Sequence, residues 1–105
     1  MRKIRLLIEA EEELTAIVKY VSNTHGKQAA IRVYDDFMER ITPLSTMPEL
    51  GTLETMLHYQ GKPVRVLHSQ HTRIIYAVRE TEIIILAFWN NQQDDRKLKG
   101  ILSER

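Results

Sequence analysis

Two histidines and two arginines lie close together in the second half of the chain. His68 and His71 are three residues apart, and Arg65 and Arg73 flank them. Imidazole titrates near neutral pH and suits proton transfer, whereas guanidinium groups grip phosphates or carboxylates through paired hydrogen bonds. The four residues are therefore a candidate catalytic or anion-binding set. The alternative is that the histidines are exposed turn residues and that the arginines pair with nearby carboxylates.

The histidine pair also has a spacing that metal sites use. The chain contains no cysteine, so thiolate metal sites and disulfides are excluded. No companion ligand accompanies His68 and His71 at strand or turn spacing, which argues against zinc. We expect neither a metal nor a cofactor.

A second candidate binding region is the polar tract at residues 90–99, directly after the most apolar segment. Loops and short helices on a rigid sheet are common recognition sites. The candidate contacts for a target or for a partner protein in this tract are Asn90, Asn91, Gln93, Arg96 and Lys97. The alternative is that these side chains cap a helix and face solvent.

The hydrophobic pattern predicts which elements hold these residues. Weak alternation at residues 2–8 predicts a strand. Apolar residues at three- and four-residue steps predict one helix over residues 10–21 and a second over 30–44, joined at Gly26. Pro43 is expected to mark the frayed end of the second helix.

The remaining pattern predicts strands and a last helix. Residues 64–68 and 73–79 alternate, and residues 83–89 are apolar on both faces, as in a covered central strand. Turns at residues 69–70 and 80–81 would join these strands into an antiparallel meander. Residues 94–102 predict a short helix. Residues 45–62 are expected to be irregular, with at most a helical turn at 53–57.

These elements predict an α+β fold formed by one domain, residues 1–105. Its parts are an N-terminal strand, an antiparallel two-helix hairpin, a three-stranded antiparallel meander that completes the sheet, and a short C-terminal helix. The 43% hydrophobic and 28% charged residues are typical of globular proteins. A net charge of +1 does not indicate a nucleic-acid binder. The longest apolar run, residues 83–89, is too short to span a membrane. We expect a cytoplasmic protein without membrane contact.

Several motifs occur in an order that resembles a known family. The sequence contains Ala10-x3-Leu14-x2-Ile17-x2-Tyr20, Gly26 before Ala29-Ala30, Pro48-x-x-Gly51, Arg65, the strand Arg73-x-x-Tyr76-x-Val78, and a polar turn after Trp89. Together they resemble the RelE/ParE superfamily of toxins from type II toxin-antitoxin (plasmid stabilisation) systems, on its ParE-like side. The resemblance covers nearly the whole chain.

The resemblance implies one of two activities. ParE-like members inhibit DNA gyrase and cut nothing, whereas RelE-like members cut messenger RNA on the ribosome with clustered basic residues and a tyrosine near the C-terminus. Aligned on Arg73 and Tyr76, the arginine that follows the sheet in RelE-like members falls at or near Gln92, and their tyrosine at or near Leu98. No tyrosine follows Tyr76. We therefore predict a gyrase inhibitor rather than an enzyme.

Two alternatives remain open. In a ribosome-dependent, metal-independent endoribonuclease, the catalytic residues would be Arg65, Arg73, His68 and His71. A non-toxic family member would serve only in a repressor complex, contacting operator DNA through its antitoxin.

The resemblance also implies a cognate antitoxin that folds onto an apolar groove formed by the helical hairpin and the sheet. We expect some exposed apolar side chains among Tyr20, Tyr34, Met38 and Met47.

Overall fold

The computed structural model describes residues 1–105 and contains one five-stranded sheet with helices on both faces. The elements are β1 (Lys3–Leu6), α1 (Ile8–His25), α2 (Lys27–Ile41), a 3-10 turn (Thr42–Ser45), β2 (Thr52–Tyr59), β3 (Lys62–Ser69), β4 (Thr72–Val78), β5 (Glu82–Asn90) and α3 (Asp95–Glu104). The strand order is β1-β5-β4-β3-β2. β1 runs parallel to β5, and all other neighbours are antiparallel. The predicted α+β class is confirmed. None of the helices combines the length and the apolar character that crossing a bilayer requires.

The helical hairpin forms because α1 and α2 are joined by a single glycine. Gly26 has φ of 94°, a conformation that side chains with a Cβ rarely adopt, and its N–H donates to the carbonyl of Ser22 at the end of α1. Glu9 and Glu11 lie in the first turn of α1, where carboxylates favour the positive end of the helix dipole. The α-helical part of α2 ends at Ile41, and the chain continues as a 3-10 turn around Pro43.

The sheet separates two apolar cores. On the hairpin face, the α1 and α2 side, Phe37 packs with sheet residues such as Ile74 and Tyr76. On the α3 face, Leu98 and Leu102 of the last helix pack with Trp89 and its neighbours. Both cores need β5, which is why its apolar run shows no polar face.

A bulge in β5 changes which face its side chains point to. Ile75 pairs with Ala87 and Tyr76 with Ile85, so Leu86 is the extra residue. Leu86 and Ala87 both contribute to the core of the α3 face. The bulge therefore places Phe88 against the hairpin and Trp89 under α3.

The prediction for residues 45–62 was wrong, because residues 52–59 form β2 and not a helical turn. The meander therefore has four strands instead of three. β2 is an edge strand with a register shift between Glu54 and His58, and most of its side chains are exposed. These two features remove the alternation that a regular half-buried strand displays. The turn at Gln60 and Gly61, both with positive φ, was the overlooked indication of a hairpin.

The predicted turn at residues 69–70 was also wrong by one residue. Ser69 pairs with Thr72, so Gln70 and His71 form the turn. Gln70 has φ of 53° there. The turn at Glu80 and Thr81 is confirmed, since the N–H of Arg79 donates to the carbonyl of Glu82.

Candidate functional site

Arg73 lies at the centre of a row of side chains that crosses the α3 face. The register pairs Arg73 with His68 of β3 on one side and with Trp89 of β5 on the other. Directly paired residues of antiparallel strands project to the same face, with Cβ atoms roughly 5 Å apart. His68 is exposed, the Arg73 side chain is 17% exposed, and Trp89 is buried. The sheet therefore holds one imidazole beside one largely buried guanidinium.

The guanidinium of Arg73 forms an ion pair with the first turn of α3. Its Nη2 donates to Oδ1 of Asp95, whose side chain is 68% exposed. The Nε of Arg73 and the Nε1 of Trp89 are buried and have no hydrogen-bond partner. Arg73 thus has an N–H group that the ion pair does not use. Because Asp95 is mostly exposed, solvent or another anion can take its place at Arg73.

A groove of about 340 Å³ adjoins Arg73. Its lining residues come from β2, β4 and α3: Glu54, Met56, Leu57, Arg73, Asp95, Arg96 and Lys99. Three of them are cations and two are carboxylates. The groove suits a partner that carries carboxylates or phosphates beside apolar groups.

Arg65 does not join Arg73. Arg65 pairs with Tyr76, so its side chain lies on the hairpin face, and its Nη1 donates to the carbonyl of Gly51 at 2.8 Å. The two arginines are therefore on opposite faces of the sheet. The predicted common site of Arg65 and Arg73 does not form, and Arg65 stabilises the loop before β2.

The two histidines also separate. His68 shares the α3 face with Arg73, whereas His71 lies in the β3–β4 turn and lines a pocket next to the hairpin. No group of three or more His, Asp or Glu side chains is placed to hold a metal ion. Of the four residues in the predicted catalytic set, the structure brings only His68 and Arg73 together.

Several side chains of the polar tract stabilise the turn before α3. The Asn90 N–H donates to Oε1 of Gln93, and the Gln92 N–H donates to Oδ1 of Asn90. Asp94 caps α3 by accepting from the Arg96 N–H at 2.9 Å. Hydrogen bonds from Arg96 hold the pKa of the Asp94 carboxyl below its usual value. Asn90 and Gln93 are therefore engaged within the chain.

Other side chains of the tract point into solvent. Asn91, Arg96 and Lys97 are exposed, and the Arg96 side chain is 92% exposed although it pairs with Asp94. Together with Arg73 and Lys99 they make the surface around α3 polar and rich in cations.

A second surface, which we call the outer groove, lies on the outside of the hairpin. It consists of two adjoining cavities of about 560 and 740 Å³, which share the lining residues Leu14, Thr15 and Tyr34. Ile31 is 49% and Tyr34 44% exposed, and Ile8 at one end is also exposed. The prediction of exposed apolar side chains is confirmed for Tyr20, Tyr34 and Met47, whereas Met38 is half-buried.

Comparison with known proteins identifies the family. The family model described as "ParE toxin of type II toxin-antitoxin system, parDE" matches residues 4–95. The chain belongs to the ParE toxin family. The predicted resemblance to RelE/ParE toxins, on the ParE-like side, is therefore confirmed, and with it the membership in a family of type II toxins.

A solved structure shares the ParE-family fold. The chain is similar to the one titled "Chromosomal ParDE TA system from P. aeruginosa", with a TM-score of 0.69 and 22% sequence identity. The similarity covers 86% of this chain and 96% of that chain. No curated protein sequence matches this chain.

The motif Pro48-x-x-Gly51 has a clear structural role. The Tyr76 hydroxyl donates to the Pro48 carbonyl at 2.7 Å and accepts from the Gly51 N–H at 2.8 Å. Tyr76 is completely buried, and burial raises the pKa of its hydroxyl. The two motifs Pro48-x-x-Gly51 and Arg73-x-x-Tyr76 are thus halves of one contact, which holds the loop onto the sheet that carries Arg73.

Proposed function

We propose that this ParE-family chain is a growth-inhibiting toxin that acts on DNA gyrase in the cytoplasm and is neutralised by a cognate antitoxin. The observation that carries the proposal is the presence of two separate surfaces of different character. About half or more of the residues that line each cavity of the outer groove are hydrophobic, whereas five of the seven that line the groove beside α3 are charged. A toxin that works by binding needs one surface for its antitoxin and one for its target.

The outer groove is the proposed antitoxin surface. An amphipathic segment that folds on binding gains affinity mainly by burying apolar side chains in such a groove. Ile31 and Tyr34 of α2 and Ile8 of α1 offer exposed apolar area for this. Lys19 and Lys27 lie at one end of the groove and Glu11 and Glu12 at the other, so charges would set the direction of the bound segment.

The surface around α3 is the proposed target surface. Arg73, Asn91, Arg96 and Lys97 are its proposed contacts, since their side chains face the groove beside α3 or the solvent. Gyrase would supply acidic side chains to the arginines and lysines of this surface. Asn90 and Gln93 support it through their internal hydrogen bonds, whereas Arg65 lies on the opposite face of the sheet.

Two positions at which RelE-like members carry catalytic residues favour a toxin that binds its target over one that cleaves RNA. Leu98 is completely buried in the core of the α3 face, so this position contributes packing where the RelE-like pattern has a tyrosine. Gln92 lies in the turn before α3, and its backbone N–H donates to Oδ1 of Asn90. Neither position supplies a proton donor or a cation.

One observation favours the ribonuclease alternative, namely the pairing of His68 with Arg73 on one face. A base and a guanidinium are two of the three groups that cleavage of an RNA backbone uses, the third being an acid that protonates the leaving oxygen. In this alternative the groove beside α3 would hold messenger RNA on the ribosome. A third possibility is a non-toxic repressor component that contacts operator DNA through the antitoxin.

The proposed function is tested by inducing the chain alone in growing bacteria. We expect incorporation of labelled thymidine to fall before that of labelled methionine, because gyrase inhibition stops DNA synthesis first. An earlier fall in methionine incorporation would overturn the gyrase proposal in favour of the ribonuclease, and Arg73 and His68 would then be the residues to substitute. Unchanged growth at verified expression would favour the non-toxic repressor component.

The antitoxin surface is tested with Ile31→Glu, which places a charge in the outer groove. We expect this variant to remain as toxic as the wild type but to escape rescue when the cognate antitoxin gene is co-expressed, because binding would bury a charged carboxylate where the wild type offers an apolar side chain. Arg32→Glu is the matched control, since Arg32 is exposed and does not line the groove. Full rescue of the Ile31→Glu variant would argue against the groove as the antitoxin surface.

We further propose that residues 1–105 act as one toxin domain. Both cores use residues of the same sheet, and β5 contributes to each of them. Neither core would be complete without it, which supports a single cooperative unit.

A further inference from the structure

A small pocket between the helical hairpin and the β3–β4 turn shares no lining residue with the outer groove. Its volume is about 190 Å³. The hairpin contributes apolar side chains to its wall, and the turn contributes polar ones; the full lining is Ile17, Tyr20, Val21, Val33, Asp36, Phe37, Ser69, Gln70, His71 and Thr72. Asp36 is the only carboxylate among them. The pocket therefore combines an apolar wall with a single anionic group.

Hydrogen bonds hold the carboxylate of Asp36 in place through only one of its two oxygens. Its Oδ2 accepts hydrogen bonds from the Ser69 hydroxyl and from the Arg40 Nε, the latter at 3.0 Å. Ser69 is only 4% exposed, so its hydroxyl is a rigid anchor. These two hydrogen bonds lower the pKa of the Asp36 carboxyl, which is therefore ionised at neutral pH. The other oxygen, Oδ1, has no hydrogen-bond partner within the chain.

We propose that this pocket is a socket for an arginine or lysine side chain of a protein partner. Its volume of about 190 Å³ leaves room for one long unbranched side chain. The aliphatic stem would lie along Ile17, Val21 and Val33, and the cationic head would reach the free oxygen of Asp36. The exposed ring of Tyr20 lines the same pocket and would add a cation–π contact to a bound cation.

The negative charge of Asp36 disfavours apolar and acidic side chains in this pocket. A neutral apolar side chain would cover the free Asp36 oxygen without a hydrogen bond, and burying a carboxylate in this way is costly. An acidic side chain would be repelled by Asp36. The expectation of a protein partner along the hairpin rests on the proposed function, but the preference for a cation rests on the pocket alone.

The socket is tested with N-butylguanidinium as the probe and N-butylurea as its neutral counterpart of the same length. Both are titrated into the purified ¹⁵N-labelled chain while the amide signals of Val33, Ser69 and Thr72 are followed. We expect saturable shifts with a millimolar Kd for the cation and at least about fivefold weaker binding of the urea, since the urea keeps an N–H donor but lacks the positive charge that attracts the Asp36 carboxylate. Equal binding of the two probes, or no saturable shift with either, would overturn the proposal.

Two substitutions near the socket should change the affinity in opposite directions. Asp36→Asn keeps an acceptor for Ser69 but removes the charge, so we expect it to weaken binding of the cation at least fivefold. Arg40→Gln removes the internal competitor for Asp36, so it should bind the cation more tightly than the wild type.

The control substitution is Asp35→Asn, on an exposed neighbour of Asp36 that does not line the socket. It should leave the affinity unchanged. A fall in affinity with both Asp35→Asn and Arg40→Gln would overturn the proposal, because only general disruption of α2 would explain it. Growth and gyrase activity are not measured in this experiment, so its failure and a failure of the proposed function are distinguishable.

Discussion

Replacing Gly51 by alanine is expected to destabilise the protein more than alanine at any of the other three glycines. A Cβ at this position would lie 2.7 Å from Cε1 and from the hydroxyl oxygen of Tyr76, and 2.9 Å from the carbonyl oxygen of Val66. Tyr76 is completely buried and the Val66 carbonyl belongs to β3, so neither can move aside without disturbing the sheet. The loop or the sheet must therefore shift.

That shift would also break the contact that the loop makes with Tyr76. Overpacking of a core costs roughly 1–3 kcal/mol, and each lost hydrogen bond of the Tyr76 hydroxyl adds about 1 kcal/mol to the loss in the free energy of unfolding. The Arg65 hydrogen bond to the Gly51 carbonyl is at risk as well. Urea denaturation followed by circular dichroism measures the total loss.

Gly100 provides a control at which alanine should raise the free energy of unfolding. It lies within α3, and nothing stands within 4 Å of a Cβ built there. Gly100→Ala should raise the free energy of unfolding by about 0.5–1 kcal/mol, because alanine loses less backbone entropy in a helix. Comparable stabilities of the Gly51→Ala and Gly100→Ala variants would refute the close contact with Tyr76.

The sequence predicted the elements with strong periodicity and missed those without it. The two long helices and strands β4 and β5 were predictable because their apolar side chains repeat at regular steps. β2 was not, since it is exposed at the sheet edge and interrupted between Glu54 and His58. The bulge at Leu86 also left no trace in the sequence, because β5 is apolar on both faces whether or not it is bulged.

The candidate site was predicted in part. A two-residue turn always pairs an odd-numbered residue with an even-numbered one, so Arg65 and Arg73 had to lie on opposite faces wherever such a turn stood. That consequence was available from the sequence. The ion pair of Arg73 with Asp95 was not, because it depends on how α3 packs after a polar turn. The socket at Asp36 likewise joins Ser69 to a residue 33 positions away.

The contact between Glu13 and Arg105 also joins residues far apart in the sequence, so the sequence alone could not predict it. Breaking this contact is the second substitution for which we expect a large loss of stability. β1 ends at Leu6, opposite Ile85, so the edge of β5 beyond this point has no strand partner. The side chains of Glu13 and Arg105 cover that edge. The Phe88 N–H donates to Oε1 of Glu13 at 3.1 Å, and Nη1 of Arg105 donates to the Leu86 carbonyl at 2.7 Å. Both side chains are largely buried.

Arg105→Ala is expected to reduce the free energy of unfolding by roughly 3–5 kcal/mol, the usual cost of leaving one member of a buried ion pair without its partner. Two hydrogen bonds to Glu13, at 3.0 and 2.7 Å, are lost together with the one to Leu86. Urea denaturation measures the change. Arg96→Ala, near the start of α3, is the matched control, and its effect should stay below about 1 kcal/mol because exposed ion pairs contribute little.

The double variant Glu13→Gln/Arg105→Ala decides whether charge is the cause. Glutamine keeps an acceptor for the Phe88 N–H but leaves no unpaired carboxylate, so adding it to Arg105→Ala should restore part of the lost stability. Because Glu13 belongs to α1 and Arg105 follows α3, the pair joins the two helices across the edge of the sheet. Amide hydrogen exchange of α3 should accelerate in Arg105→Ala more than that of α2, which the pair does not touch. Strictly additive effects of the two substitutions, with unchanged exchange in α3, would mean that packing and not this ion pair holds α3 on the sheet.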